Sequence, residues 1–257
     1  MTRALSTIYA ALLYGFIFLP VAVLVLFSFQ GTLFPIPPFN GPSFRWYEAV
    51  LGDQRLTSGL LNSVLVAIIT SAIATLLGFL SAWGFARFHL PASALLRGLI
   101  TLPLTVSYLI IGMGLLIFFN WIGIPKSLIA AGIGHVVINL PLCFAIIYSQ
   151  MGAHQANIER AARDLGASEI KVLLLVTAPM LWPALFAAFF LAMTFSWDEF
   201  VITFLLTRFE TTLPVEIWNL LRAGLNPKTN AVGALVFGVS VLLAIAFELV
   251  AFRKRAA

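Results

Sequence analysis

Ile158-Glu159-Arg160-Ala161-Ala162-Arg163-Asp164-Leu165-Gly166-Ala167-Ser168-Glu169 stands between two long apolar runs. The stretch is charged, yet rich in helix formers as far as Gly166, and a glycine there suits a helix end. Ala162 and Gly166 are four residues apart and are predicted to share one helix face. Two small residues on one face let another backbone come close. Arg160 and Arg163 offer cations to an acidic partner. A short helix of this kind fits a groove in another protein. A solvated helix joining two spans is the alternative reading.

The flanking runs belong to a set of six, at 8–29, 60–86, 99–119, 127–148, 172–195 and 232–252. An α-helix rises ~1.5 Å per residue, so ~20 residues cross a hydrocarbon core of ~30 Å. Lipid offers no partner to backbone N–H and C=O groups, so the runs must be helical. The 257 residues are 61% hydrophobic and 10% charged, with a mean hydropathy of +1.03. That is too little charge to cover a soluble domain. The expectation is an all-α membrane protein with six transmembrane helices. It forms one domain over 1–257, with a charged connecting loop at about 151–176. The first run is too long for a signal-peptide core and no small-residue cleavage site follows it, so it is expected to be retained.

Lys and Arg in the loops set the orientation. With the N-terminus inside, Arg3, Arg87, Arg97, Arg160, Arg163, Lys171, Arg253, Lys254 and Arg255 are cytoplasmic, against Arg45, Arg55, Lys126, Arg208, Arg222 and Lys228 outside. Nine against six, with a cluster directly after the last run, predicts a multi-pass inner-membrane protein with both termini cytoplasmic. The cations form no dense stripe, so nucleic acid is not a partner. Cys143 is alone, which excludes an internal disulfide and a cysteine metal site. His89, His135 and His154 lie on different segments without metal-ligand spacing. His135, inside the fourth run, is expected to make a helix–helix hydrogen bond. Pro20, Pro103, Pro141, Pro179 and Pro183 fall in or at the ends of runs, where each can kink a helix. No Gly-x-x-x-x-Gly-Lys-Ser/Thr loop occurs, so the chain is expected to be a non-catalytic subunit without a cofactor of its own.

The loop resembles the Glu-Ala-Ala loop of permease subunits in binding-protein-dependent ABC importers. The family pattern places Gly four residues after the second Ala, then an aliphatic residue and Leu-Pro. Here Arg160-Ala161-Ala162, Gly166, Val176, Ala178 and Pro179 keep that spacing. Arg160 replaces the Glu, with Glu159 one place earlier, and Ala178 replaces the Leu. Phe195-Ser196-Trp197-Asp198-Glu199-Phe200-Val201-Ile202-Thr203 is similar to a signature of the second permease of spermidine/putrescine-type systems. Thr212-Leu213-Pro214-Val215 and Asn226-Pro227 are similar too. The resemblance implies a type I ABC importer permease fold. It also implies a second permease subunit, a cytoplasmic ATPase dimer that binds ATP and Mg, and a periplasmic solute-binding protein. It makes Glu159, Arg160, Ala161, Ala162, Arg163 and Gly166 the candidate ATPase-coupling residues.

Asp198 and Glu199 lie at the outer end of the fifth run, beside Ser196. A carboxylate at mid-bilayer costs ~2.5–3.5 kcal/mol, so two adjacent acids are not expected to face lipid. On a continuous helix they would point ~100° apart, and only one need line a cavity. An acidic lining attracts an amine-bearing solute. An interfacial cap paired with Arg208 or a partner chain is the alternative. The resemblance implies an acid near the position of Tyr108 in polyamine members. The phenol leaves a monoamine, an amino-acid derivative or another polar organic solute open. Trp46, with Tyr47, offers either cation–π stacking on a solute or interfacial anchoring. Ser196, Asp198, Glu199, Tyr108 and Trp46 are thus the pathway candidates. An ion-gradient transporter would show internal repeats or paired broken helices. An intramembrane enzyme would have only Ser196 near Asp198, with no histidine placed to help.

Overall fold

The computed structural model describes residues 2–224 and 226–253. Lys254 and Arg255 of the C-terminal cluster lie outside the described residues. The helices are α1 (Thr2–Ser28), α2 (Arg45–Leu51), α3 (Gln54–Arg87), α4 (Ser93–Thr101), α5 (Tyr108–Trp121), α6 (Leu128–Tyr148) and α7 (Ala153–Asp164). They continue with α8 (Glu169–Val172), α9 (Ala178–Met180), α10 (Trp182–Trp197), α11 (Val201–Leu206), α12 (Leu213–Ala223) and α13 (Pro227–Arg253). Leu5–Ser28, Gln54–Arg87 and Leu128–Tyr148 are each long and apolar enough to cross a bilayer.

The third and fifth runs are not straight spans, as the sequence suggested. Ser93–Leu104 and Tyr108–Trp121 meet at 105°, and Glu169–Met180 and Trp182–Trp197 at 73°. Proline explains both breaks. Pro103 sits in the 3₁₀ turn Leu102–Leu104, after which Ser107 Oγ caps α5 by accepting from Leu109 N. In the fifth run a π-helical turn, Leu173–Thr177, is followed by Pro179 and Pro183 on either side of Leu181. A missing N–H and a π turn each interrupt the i→i−4 ladder. Pro20 and Pro141 lie inside unbroken helices.

The contacts divide the chain into two compact units, residues 1–59 with 215–257, and 60–214. In the first, α1 and α2 pack on α13. Gly233 lets Leu24 close in, since an added Cβ would lie 3.1 Å from Leu24 Cδ1. In the second, α6 is the hub and touches α4, α5, α10 and α11. Lipid is as apolar as leucine, so helices in a membrane gain from close packing of small residues rather than from hydrophobic burial. Gly78 shows this: a Cβ there would fall 2.9 Å from Phe144 N. Gly134 similarly admits Ile202 and Leu206 of α11.

Candidate functional site

The break after α10 places the two acids differently from the expectation of a continuous helix. Asp198 is the C-cap of α10, and α11 begins at Val201. Asp198 is exposed, while Glu199 is only 5% exposed. Glu199 Oε1 accepts from Ile202 N at 2.9 Å and Oε2 from Thr203 N at 3.1 Å. Its charge therefore lies against the amides that open α11, which it caps. On its other side His135 Nε2 stands 3.3 Å from Oε2. Glu199 is thus held by its own chain, whereas Asp198 is exposed. Tyr108, the first residue of α5, is 38% exposed and lies within electrostatic reach of Glu199.

His135 makes the expected helix–helix bonds, and more of them. Its Nδ1 is 2.6 Å from Ser196 Oγ on α10 and its Nε2 is 2.9 Å from Thr203 Oγ1 on α11. Ser196 Oγ is in turn 3.1 Å from Thr70 Oγ1 on α3, which donates to Val66 O at 2.7 Å. The sequence reading that no histidine stands near Ser196 is corrected: fold proximity spans 61 residues. A serine, a histidine and a carboxylate meet, but Ser196 is enclosed and its hydroxyl is engaged on both sides. The cluster is a buried tie between α3, α6, α10 and α11. Polar residues inside apolar runs are the signal that marks it in sequence, since such residues turn away from lipid. Nothing in the sequence pairs them.

Trp46, given either a pathway or an anchoring role by the sequence, is buried in the fold. It is 5% exposed, its indole donates to Gln30 O at 2.7 Å, and Arg45 lies over its ring at 4.8 Å. Tyr47 bonds Ser28 at 2.7 Å. Both anchor the segment that follows α1.

In the coupling loop, α7 ends at Asp164 and Gly166 lies beyond it with φ +88°. Gly166 N donates to Arg163 O and Ala167 N to Ala162 O, which is a Schellman cap. Gly166 therefore does not share a helix face with Ala162; it is glycine because the left-handed turn demands it. Arg160, Ala161 and Leu165 are exposed, Leu165 at 89%. Arg163 is half-buried and forks onto Glu169 at 2.7 and 3.0 Å, which closes the turn. That guanidinium holds the Glu169 carboxyl below its ordinary range.

Glu159 points the other way, at 0% exposure. Arg87 at the end of α3 grips it at 2.5 and 3.2 Å, and Thr177 of the π turn donates to it at 3.0 Å. It fixes α7 to two spans and offers no surface to a partner. Arg87 and Thr177 escaped the sequence reading because they lie 72 and 18 residues from Glu159.

A bundle of apolar helices broken at prolines, with an exposed acid at one break and a capped polar helix between two spans, defines a membrane transport subunit. Residues 74–256 match the family model of the binding-protein-dependent transport system inner membrane component. The chain belongs to that family and is a permease subunit of an ABC importer. It is 34% identical over 251 residues to the putrescine transport system permease protein PotI of Escherichia coli (strain K12), covering 93% of this chain and 89% of that one. It is 26% identical over 244 residues to the spermidine/putrescine transport system permease protein PotC of the same strain, covering 94% and 92%. A bacterial alginate ABC transporter, solved with a periplasmic protein bound to an alginate pentasaccharide, shares the fold. Its TM-score is 0.73 at 14% identity, covering 98% of this chain and 94% of that chain. The MetNI methionine ABC transporter does so at 0.58 and 14%, covering 78% and 98%. These findings favour the importer over an ion-gradient transporter.

Proposed function

We propose that this permease forms half of the path by which an ATP-driven importer takes up a small amine-bearing solute. A second permease supplies the other half. A periplasmic solute-binding protein delivers the solute, and a cytoplasmic ATPase dimer holds ATP and Mg. The exposed Arg160, Ala161 and Leu165 form the face that α7 offers to that ATPase, with Ala162 at its edge, Glu159 anchoring the helix from behind and Arg163 closing the turn onto Glu169. Both termini lie in the cytoplasm.

The exposed carboxylate of Asp198 at the break of the fifth span carries the reading. Its neighbour Glu199 is occupied by His135 and α11, so Asp198 is the acid available to a cation. The polyamine transport named for the two relatives supports an amine-bearing cargo.

The test is uptake by the reconstituted complex. Asp198→Asn should lower uptake of putrescine or a related amine roughly tenfold, the effect of losing one charge-assisted contact. Complex assembly and basal ATP turnover should persist. Unchanged uptake across solute concentrations removes Asp198 from the path.

A further inference from the structure

The corner between α3 and α4 holds a half-polar cavity whose lining shares no residue with the Asp198 site. The chain turns there through Phe88-His89-Leu90-Pro91, beside a cavity of about 480 Å3. Arg87, His89, Arg97 and Tyr148 line its polar side, and Phe88 and Leu90 its apolar side; no Asp or Glu lines it. Arg87 is neutralised by Glu159. Arg97 is not paired with any acid among the described residues. It donates to the phenol of Tyr148 at 3.1 Å and to the Ser93 carbonyl at 3.4 Å. Neither partner cancels its charge, and the Tyr148 ring, 5.8 Å from the guanidinium, holds it in place. His89 is exposed beside it. A fixed guanidinium without a counter-ion, in a half-apolar cavity at a span end, suits a phosphate diester.

We propose that this corner binds the headgroup of an anionic phospholipid, with Arg97 and His89 on the phosphate. A lipid is favoured over a soluble phosphate because Phe88, Leu95, Leu96 and Leu99 are exposed alongside and give acyl chains a surface. Arg87 faces the cavity and also grips Glu159 of α7. A bound headgroup therefore sits one residue from the anchor of the coupling helix and steadies it. The link to coupling, and the assignment to the cytoplasmic leaflet, rest on the reading of α7 as the ATPase contact; lipid binding does not.

The whole complex is placed in nanodiscs of phosphatidylcholine with phosphatidylglycerol, and retained lipid is read by native mass spectrometry. Wild type should keep phosphatidylglycerol in preference to phosphatidylcholine. Arg97→Gln should lower that preference roughly tenfold, as expected for one charged contact. Arg97→Lys should keep part of it, and Tyr148→Phe, a gentler change, should lower it without loss of complex. Equal preference in wild type and Arg97→Gln overturns the proposal. Displacement of the lipid by millimolar inorganic phosphate also overturns it and assigns the site to a soluble anion. Solute-stimulated ATP turnover should depend on phosphatidylglycerol in wild type and not in Arg97→Gln; turnover indifferent to the lipid removes the link to α7. If instead no ATPase co-purifies in any lipid while phosphatidylglycerol is still retained, the reading of α7 fails and the lipid site stands.

Discussion

Glu199 gives both carboxylate oxygens to the fold, one to Ile202 N and one to Thr203 N, with His135 3.3 Å away. An amide has one acceptor and turns a donor toward a backbone N–H. Glu199→Gln should therefore destabilise the permease by about 1–3 kcal/mol. A lower unfolding temperature of the complex measures this, and Asp198→Asn should not share it. Equal melting of wild type and Glu199→Gln would show that the carboxylate is not a cap. Gly166 is also a conformational residue, at φ +88°. A side chain there costs about 1–2 kcal/mol, less for Asn. Gly166→Asn should thus retain more solute-stimulated ATP turnover than Gly166→Leu. If both are equally impaired, bulk against the partner governs the position, not backbone strain.

The elements show how breaks and ties arise. The fifth span bends because a π turn and two prolines fall within eleven residues, 173–183. The breaking residues are legible in the sequence, but the angle is not, because packing on α6 decides where the second half goes. The start of α13 is tied to the start of α3 by Lys228 and Asp53 at 2.5 Å. The Lys228 ammonium holds the Asp53 carboxyl below its ordinary range. A carboxyl lowered in the fold contributes stability above its unfolded value of about 3.9, and loses it as pH falls through the folded value. The first unit should therefore loosen on acidification below about pH 4, and Asp53→Asn should flatten that part of the pH profile. Hydrogen exchange at the α13 N-terminus reads it; an unchanged profile would show that the pair holds nothing.

At the scale of the molecule, the loop cations predict both termini inside. A reporter active only in the periplasm, fused after Ala257, should be silent, and the same reporter near Gly41 should be active. A signal from the C-terminal fusion overturns the topology. Apolar run length and charge placement were enough to specify a multi-span membrane protein, because bilayer thickness and unpaired backbone leave few alternatives; the resemblance around Arg160-Ala161-Ala162 and Gly166 added the permease family. The same reading did not show what holds Glu159, Glu199, Trp46 and Gly166 in place. Each depends on a partner or a turn that one-dimensional spacing does not encode: Arg87 across 72 residues for Glu159, His135 for Glu199, the Gln30 carbonyl for Trp46, the left-handed turn for Gly166. Sequence by itself determined that acids and cations stand at the span ends. Only the tertiary structure decided which of them face inward, because burying a charge requires a counter-charge or donor that long-range packing alone supplies.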